Sequence, residues 1–191
     1  MRPRSGFETA EMEPCMDSRV PSYQYFGFTP GGPTLAAGLS EVETSSIAAF
    51  LEEIFSDDSG YCILHWNGVF VPMSFKYDIS VCFEDWVEVL RHLSAPSDEP
   101  LRVAFPSNTF RVDWVIRVEQ AGEVVVIDAD WHTVLGGVEQ ALRRVSPVRY
   151  PASMVEFEVR KLLRAVVEVA LGVSGVEHVE GFNDVIAFIW Q

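Results

Sequence analysis

Apolar positions recur along this chain with two different periods. Ile47, Phe50, Leu51, Ile54 and Phe55 follow the i, i+3, i+4, i+7, i+8 spacing of one helix face, which predicts a helix over about 41–56. Ser40 with Glu43 has the spacing of a capping box at its start, and Asp57, Asp58, Ser59 and Gly60 close it. YCILHW and VFVPM flank Asn67-Gly68, a pair suited to two consecutive turn residues with positive φ, so a hairpin is expected there. Pro72 has no N–H to donate, which makes the second strand an edge. DISVCF (78–83) reads as another strand, and 84–94 as a short helix with Trp86, Val87, Leu90 and Leu93 on its apolar side.

The second half alternates more strictly. LRVAF (101–105) is a strand stopped by Pro106. Phe110, Val112, Trp114, Ile116 and Val118 alternate with polar residues, the mark of a half-buried antiparallel strand. EVVVIDADW (123–131) follows after Ala121-Gly122. A two-residue loop pairs 118 with 125, 116 with 127 and 114 with 129, which puts Val125, Ile127, Ala129 and Trp131 on the same apolar face. A weaker helix is expected over about 133–145, capped by Thr133. A clearer one spans about 154–171, with Ser153 and Glu156 as a second capping box. VIAFIW (185–190) reads as a last strand. The class is therefore α+β: a mainly antiparallel sheet with helices packed on one side, in a single domain at 36–191. Residues 1–35 read as a mobile or loosely docked tail, although Tyr23, Tyr25, Phe26 and Phe28 have the makings of a short docked strand.

Composition narrows the function classes. The chain has 191 residues and a net charge of −14, which argues against nucleic acid or an anionic membrane surface as a partner. No apolar run is long enough to span a bilayer, and the N-terminus lacks the apolar stretch of a secretory signal, so a cytoplasmic protein is expected. Three scattered cysteines make neither a disulfide framework nor a zinc site. TPGGPT and LGGVE match no phosphate-loop pattern, and no cofactor motif is present. The charge is unevenly placed. Residues 40–100 hold 12 acidic and two basic side chains, whereas residues 101–170 hold nine of each.

Two groups of residues follow from that placement. Glu52, Glu53, Asp57, Asp58, Asp78, Glu84 and Asp85 form a candidate docking face for a basic protein, because a concentrated negative field steers capture of cationic partners. On the outward face of the long hairpin, the expected register sets Arg111 across from His132, Asp113 from Asp130, and Val115 from Asp128. That patch is a candidate for metal-assisted hydrolysis, weighed against an ordinary solvated sheet face. Cys62 and His65 point to opposite sides of a strand, so no nucleophile–base pair is expected from them.

The capped helix, the hairpin around HWNGVF, the pair FRVDWVIRVEQAGEVVVIDADW and a closing helix, together with the acidic charge, resemble the small acidic immunity proteins that bacteria make against secreted toxins, over about residues 35–191. The resemblance implies an α+β domain that covers a toxin's active cleft, with a basic toxin domain as partner. It carries over no functional residue by position. Two other readings stand beside it: the hydrolase above, and a homodimeric structural or regulatory subunit formed through apolar strand edges.

Overall fold

Trp66, Trp86, Trp114 and Trp131 meet in one aromatic cluster, and two antiparallel sheets are built around it. The computed structural model describes residues 25–37, 44, 46–119 and 122–191. The first sheet has the order β1 (Phe26–Pro30), β2 (Tyr61–Trp66), β3 (Val69–Ser74). The second has the order β4 (Leu101–Pro106), β5 (Phe110–Glu119), β6 (Val124–Val134), β7 (Val148–Pro151). With the helices packed against them, they make the α+β fold expected from the sequence.

The β2–β3 hairpin turns at Asn67-Gly68, whose φ values of 47° and 86° are both left-handed, as a two-residue hairpin turn requires. Pro72 lies on β3, which is an edge strand. In the long hairpin, Trp114 faces Ala129, Ile116 faces Ile127 and Val118 faces Val125, the register expected from the alternation. Its inward positions, Val112, Trp114, Ile116, Ile127 and Trp131, are fully or almost fully buried. From the other sheet, Phe26 and Trp66 pack on Trp114, and Phe28 packs on Trp86. Phe26 and Phe28 are buried, so β1 belongs to the packed unit although it lies within the segment read as a tail. Residues 1–24 lie outside the described ones.

Helix α2 (Phe83–Ser94) packs on β4 and on α4 (Ala152–Ala170), and α4 packs on β1. Val155, Val159, Leu162, Leu163, Val166 and Val167 form the buried stripe of α4. Helix α1 (Ile47–Ile54) opens at Ser46, whose Oγ accepts from the Ala49 N–H at 3.3 Å. It therefore starts later than about 41, and Ser40 and Glu43 lie outside the described residues.

Four other expectations are corrected. DISVCF is not a strand: Phe75–Ile79 forms a π-helical turn that leads into α2. Local side-chain bonds close that turn. The Ser74 N–H donates to the Asp78 carboxylate at 2.7 Å, and the Ser80 hydroxyl donates to the Phe75 carbonyl at 2.8 Å. The helix expected over 133–145 is reduced to α3 (Glu139–Arg144), because β6 runs through to Val134 and Gly136 and Gly137 then turn the chain at φ 94° and 66°. Helix α4 opens at Ala152 directly after β7, with Pro151 preceding it and no side-chain cap, so Ser153 sits inside the first turn. VIAFIW is helical up to Ile189, within α5 (Phe182–Ile189), with Trp190 as the C-cap. Phe182, Val185 and Ile189 form its buried stripe, and α4 satisfies its last carbonyls: Arg160 Nη1 donates to Phe188 O and Ile189 O at 3.1 and 3.0 Å.

Candidate functional site

The acidic residues picked out along residues 40–100 separate into two kinds. Glu52 and Glu53 are exposed on the outward side of α1, and Asp57 and Asp58 are exposed in the turn after it. Asp57 has partners: Lys76 Nζ lies 2.9 Å away and the Tyr77 hydroxyl donates to it at 2.5 Å. The Tyr77 hydrogen bond, with Lys76 second, holds the Asp57 carboxyl below its usual pKa. Glu84 is exposed and Asp85 half-buried in the first turn of α2. Desolvation, with Glu88 and Glu84 adding repulsion, pushes Asp85 up to about 6. Among the described residues, Glu52, Glu53, Asp58, Glu84, Asp85 and Glu88 form no salt bridge.

Asp78 is the correction. It is 1% exposed and cannot be part of a docking face. Its carboxylate accepts from the Ser74 N–H at 2.7 Å, from the Thr109 hydroxyl at 2.7 Å and from the Ser107 hydroxyl. Three donors satisfy a buried charge and tie the 106–109 loop to the π-helical turn. The tie builds a groove of about 270 Å³, with Glu52, Tyr77 and Val81 on one wall and Pro106, Ser107, Asn108 and Thr109 on the other. Tyr77 and Val81 are exposed there, next to the carboxylates. A second crevice of about 210 Å³ joins Glu84 to Arg91, Glu180 and Asp184, so the turn before α5 and the first turn of α5 each add a carboxylate from outside residues 40–100. The groove's 106–109 wall has no signature in the sequence. Its only cue was the run Pro106-Ser107-Asn108-Thr109, which reads as an ordinary loop.

The outward face of the long hairpin is a different arrangement. Asp113 faces Asp130, and Val115 faces Asp128, as expected. Arg111 faces Thr133, not His132, because the register shifts between Arg111 and Val112. On β5 the buried residues Phe110 and Val112 are two apart. Their partners Val134 and Trp131 are three apart, so β6 takes up an extra residue at a bulge. His132 Nε2 then reaches Asp113 at 3.0 Å. At the far end, Arg149 Nη2 meets Glu119 at 2.7 Å. Among the described residues no group of three or more His, Cys, Asp or Glu side chains is arranged to hold a metal ion. Arg111, Asp113, Asp128, Asp130 and His132 line neither the groove at Tyr77, nor the crevice at Glu84, nor the cavity along α4.

Cys62 and Cys82 are free, buried thiols, each pushed up to about 12 by desolvation, and a thiol held so far from its thiolate is a poor nucleophile. A further cavity, about 350 Å³ along α4, exposes Phe157 beside Lys161 and Arg164. Lys161 is paired with Glu158 at 2.5 Å, and Arg164 lies 4.9 Å over the Trp190 ring while its Nε donates to Ile189 O. No helix among the described residues is long and apolar enough to cross a membrane. No protein-family model matches the chain, and neither a curated protein nor a solved structure matches it at a significant level.

Proposed function

We propose that this chain is an acidic binding protein that captures a basic protein through the end formed by α1, the π-helical turn, the 106–109 loop and the start of α2. The observation that carries the reading is the set of carboxylates at that end that form no salt bridge among the described residues, around a groove that also exposes Tyr77 and Val81. Unneutralised charge attracts over the range of a Debye length, about 8–10 Å at physiological salt, and an exposed aromatic beside it gives an anchor once contact is made. A lysine or arginine side chain suits the groove, with its alkyl stem on Tyr77 and Val81 and its cation toward Glu52. The resemblance to immunity proteins names the class of partner: a toxin domain whose active cleft is occluded, in the cytoplasm of the producing cell.

The test is identification of the partner from the host, followed by binding of the two purified proteins. Glu52→Lys with Asp58→Lys should weaken the complex at least about tenfold, roughly 1.4 kcal/mol, without unfolding the domain. A partner that is itself acidic, or one bound equally well by the doubly reversed variant, contradicts the reading.

A further inference from the structure

Most of the charge on this chain is negative, yet the pocket along α4 gathers cations. Arg160, Lys161 and Arg164 meet there beside Phe157 and the Pro30 end of β1, around a volume of about 350 Å³. Arg164 follows Arg160 by one helical turn and Lys161 by slightly less, so the three lie on one side of the helix. The pocket shares no lining residue with the groove at Tyr77 or the crevice at Glu84. Two of its cations are answered locally. Arg160 Nη2 pairs with Glu156 at 2.9 Å while Nη1 caps α5, and Lys161 pairs with Glu158 at 2.5 Å. Arg164 is different. Its Nε donates to Ile189 O at 3.3 Å and its guanidinium lies 4.9 Å from the Trp190 ring centroid. Among the described residues it forms no salt bridge, and neither Nη donates a hydrogen bond.

We propose that this pocket binds a small organic carboxylate with an apolar body, an aryl or alkyl acid, through Arg164. A guanidinium already held by its Nε and by an aromatic ring keeps its outer N–H donors in a fixed fork. Such a fork matches the two oxygens of a carboxylate and loses little freedom on binding. The apolar body has a place to lie: Phe157 is 64% exposed, with Pro30 across the pocket from α4. Charge limits the ligand from the other side. Glu168 stands exposed one turn beyond Arg164 and forms no salt bridge among the described residues, and the whole chain carries −14. A dianion such as phosphate meets that repulsion twice over and gains nothing from Phe157, whereas a monocarboxylate carries one charge and uses both parts of the pocket. Size excludes larger occupants. Ligand pockets run from about 300 to about 1,000 Å³, and this one, at about 350 Å³, takes a single-ring acid and not a folded partner.

Heteronuclear NMR titration of the full chain with phenylacetate tests this, read at the Trp190 indole N–H, which lies against Arg164. The Trp190 signal should shift saturably, with a Kd of about 1 mM or below. Phenylacetamide has the same shape without the charge and should bind at least about tenfold more weakly. Inorganic phosphate should leave Trp190 almost unshifted. Arg164→Gln should weaken phenylacetate binding at least about tenfold. Arg164 also caps α5, so Phe157→Ala, at an exposed position, is the second variant and should weaken binding at least about threefold. Circular dichroism verifies the fold of both. Arg102→Gln, on the outward face of the four-stranded sheet, should leave binding unchanged. The proposal is overturned by an unshifted Trp190 up to about 10 mM phenylacetate, or by equal binding of acid and amide. A phosphate response as large as that to the acid, or binding unaltered by both Arg164→Gln and Phe157→Ala, overturns it too.

Discussion

Two surfaces of this molecule are rich in carboxylates, and they use them differently. On the outward face of the four-stranded sheet, Asp113 is bonded to His132 and Glu119 to Arg149, and arginines at 102, 111 and 117 alternate with the acids. At the α1–α2 end, Asp57 is held by Lys76 and Tyr77, while Glu52, Glu53, Asp58, Glu84, Asp85 and Glu88 form no salt bridge among the described residues. The first surface is balanced within itself. The second projects its field outward, and only such a field steers a partner over distance. The net charge of −14 conceals that difference; the placement of counter-charges reveals it.

The sharpest way to break the comparison is at Asp78, the acid of the second surface that is not on the surface. Asp78→Ala strips the acceptor from three donors and should cost about 2–4 kcal/mol, with the 106–109 loop loosened, readable as a fall in midpoint on chemical denaturation and faster hydrogen exchange at Thr109. If Asp78→Ala is as mild as an ordinary surface substitution, the groove has another foundation. Asp85 comes next. Its folded pKa of about 6 stands above the ordinary carboxylate value of 3.8, so folding disfavours its ionised form. The stability lost to that ionisation is absent below about pH 4, grows as pH rises towards 6, and stays lost above. Asp85→Asn should therefore stabilise the protein at pH 7.5, by about 1 kcal/mol once solvent screening of this half-exposed carboxyl is allowed for, and by almost nothing at pH 4, measured by urea titration at both values. The smallest effect belongs to the balanced face. Asp113→Ala should change stability by less than about 0.5 kcal/mol, because an exposed ion pair is nearly offset by solvation and side-chain entropy.

Local pattern made both hairpins legible, and non-local contacts hid most of what was misread. Asn67-Gly68 sets its own turn, and the alternation of β5 with β6 sets the register at three pairs. VIAFIW misled because its apolar run suits a buried strand as well as a helix. Arg160 and Arg164, some 25–29 residues earlier in the chain, cap its carbonyls and complete the helix. His132 moved across the ladder because the bulge serves the inner face, where Trp131 and Val134 must both be buried. For the site, the acids on α1 and α2 were readable as charge density. The burial of Asp78 was not, since its partners Ser107 and Thr109 lie 29 and 31 residues away.

The central claim is that one acidic surface acts at a distance and the other does not. Association rates with the purified basic partner, measured against ionic strength by stopped flow, test it most directly. For the unaltered chain, the rate should fall steeply with salt. Glu52→Lys with Asp58→Lys should lower the low-salt rate by about tenfold and flatten the slope, while Asp113→Lys with Asp130→Lys should change the slope much less. Equal slopes for the two charge-reversed variants, or a rate for the unaltered chain that ignores salt, would contradict the account.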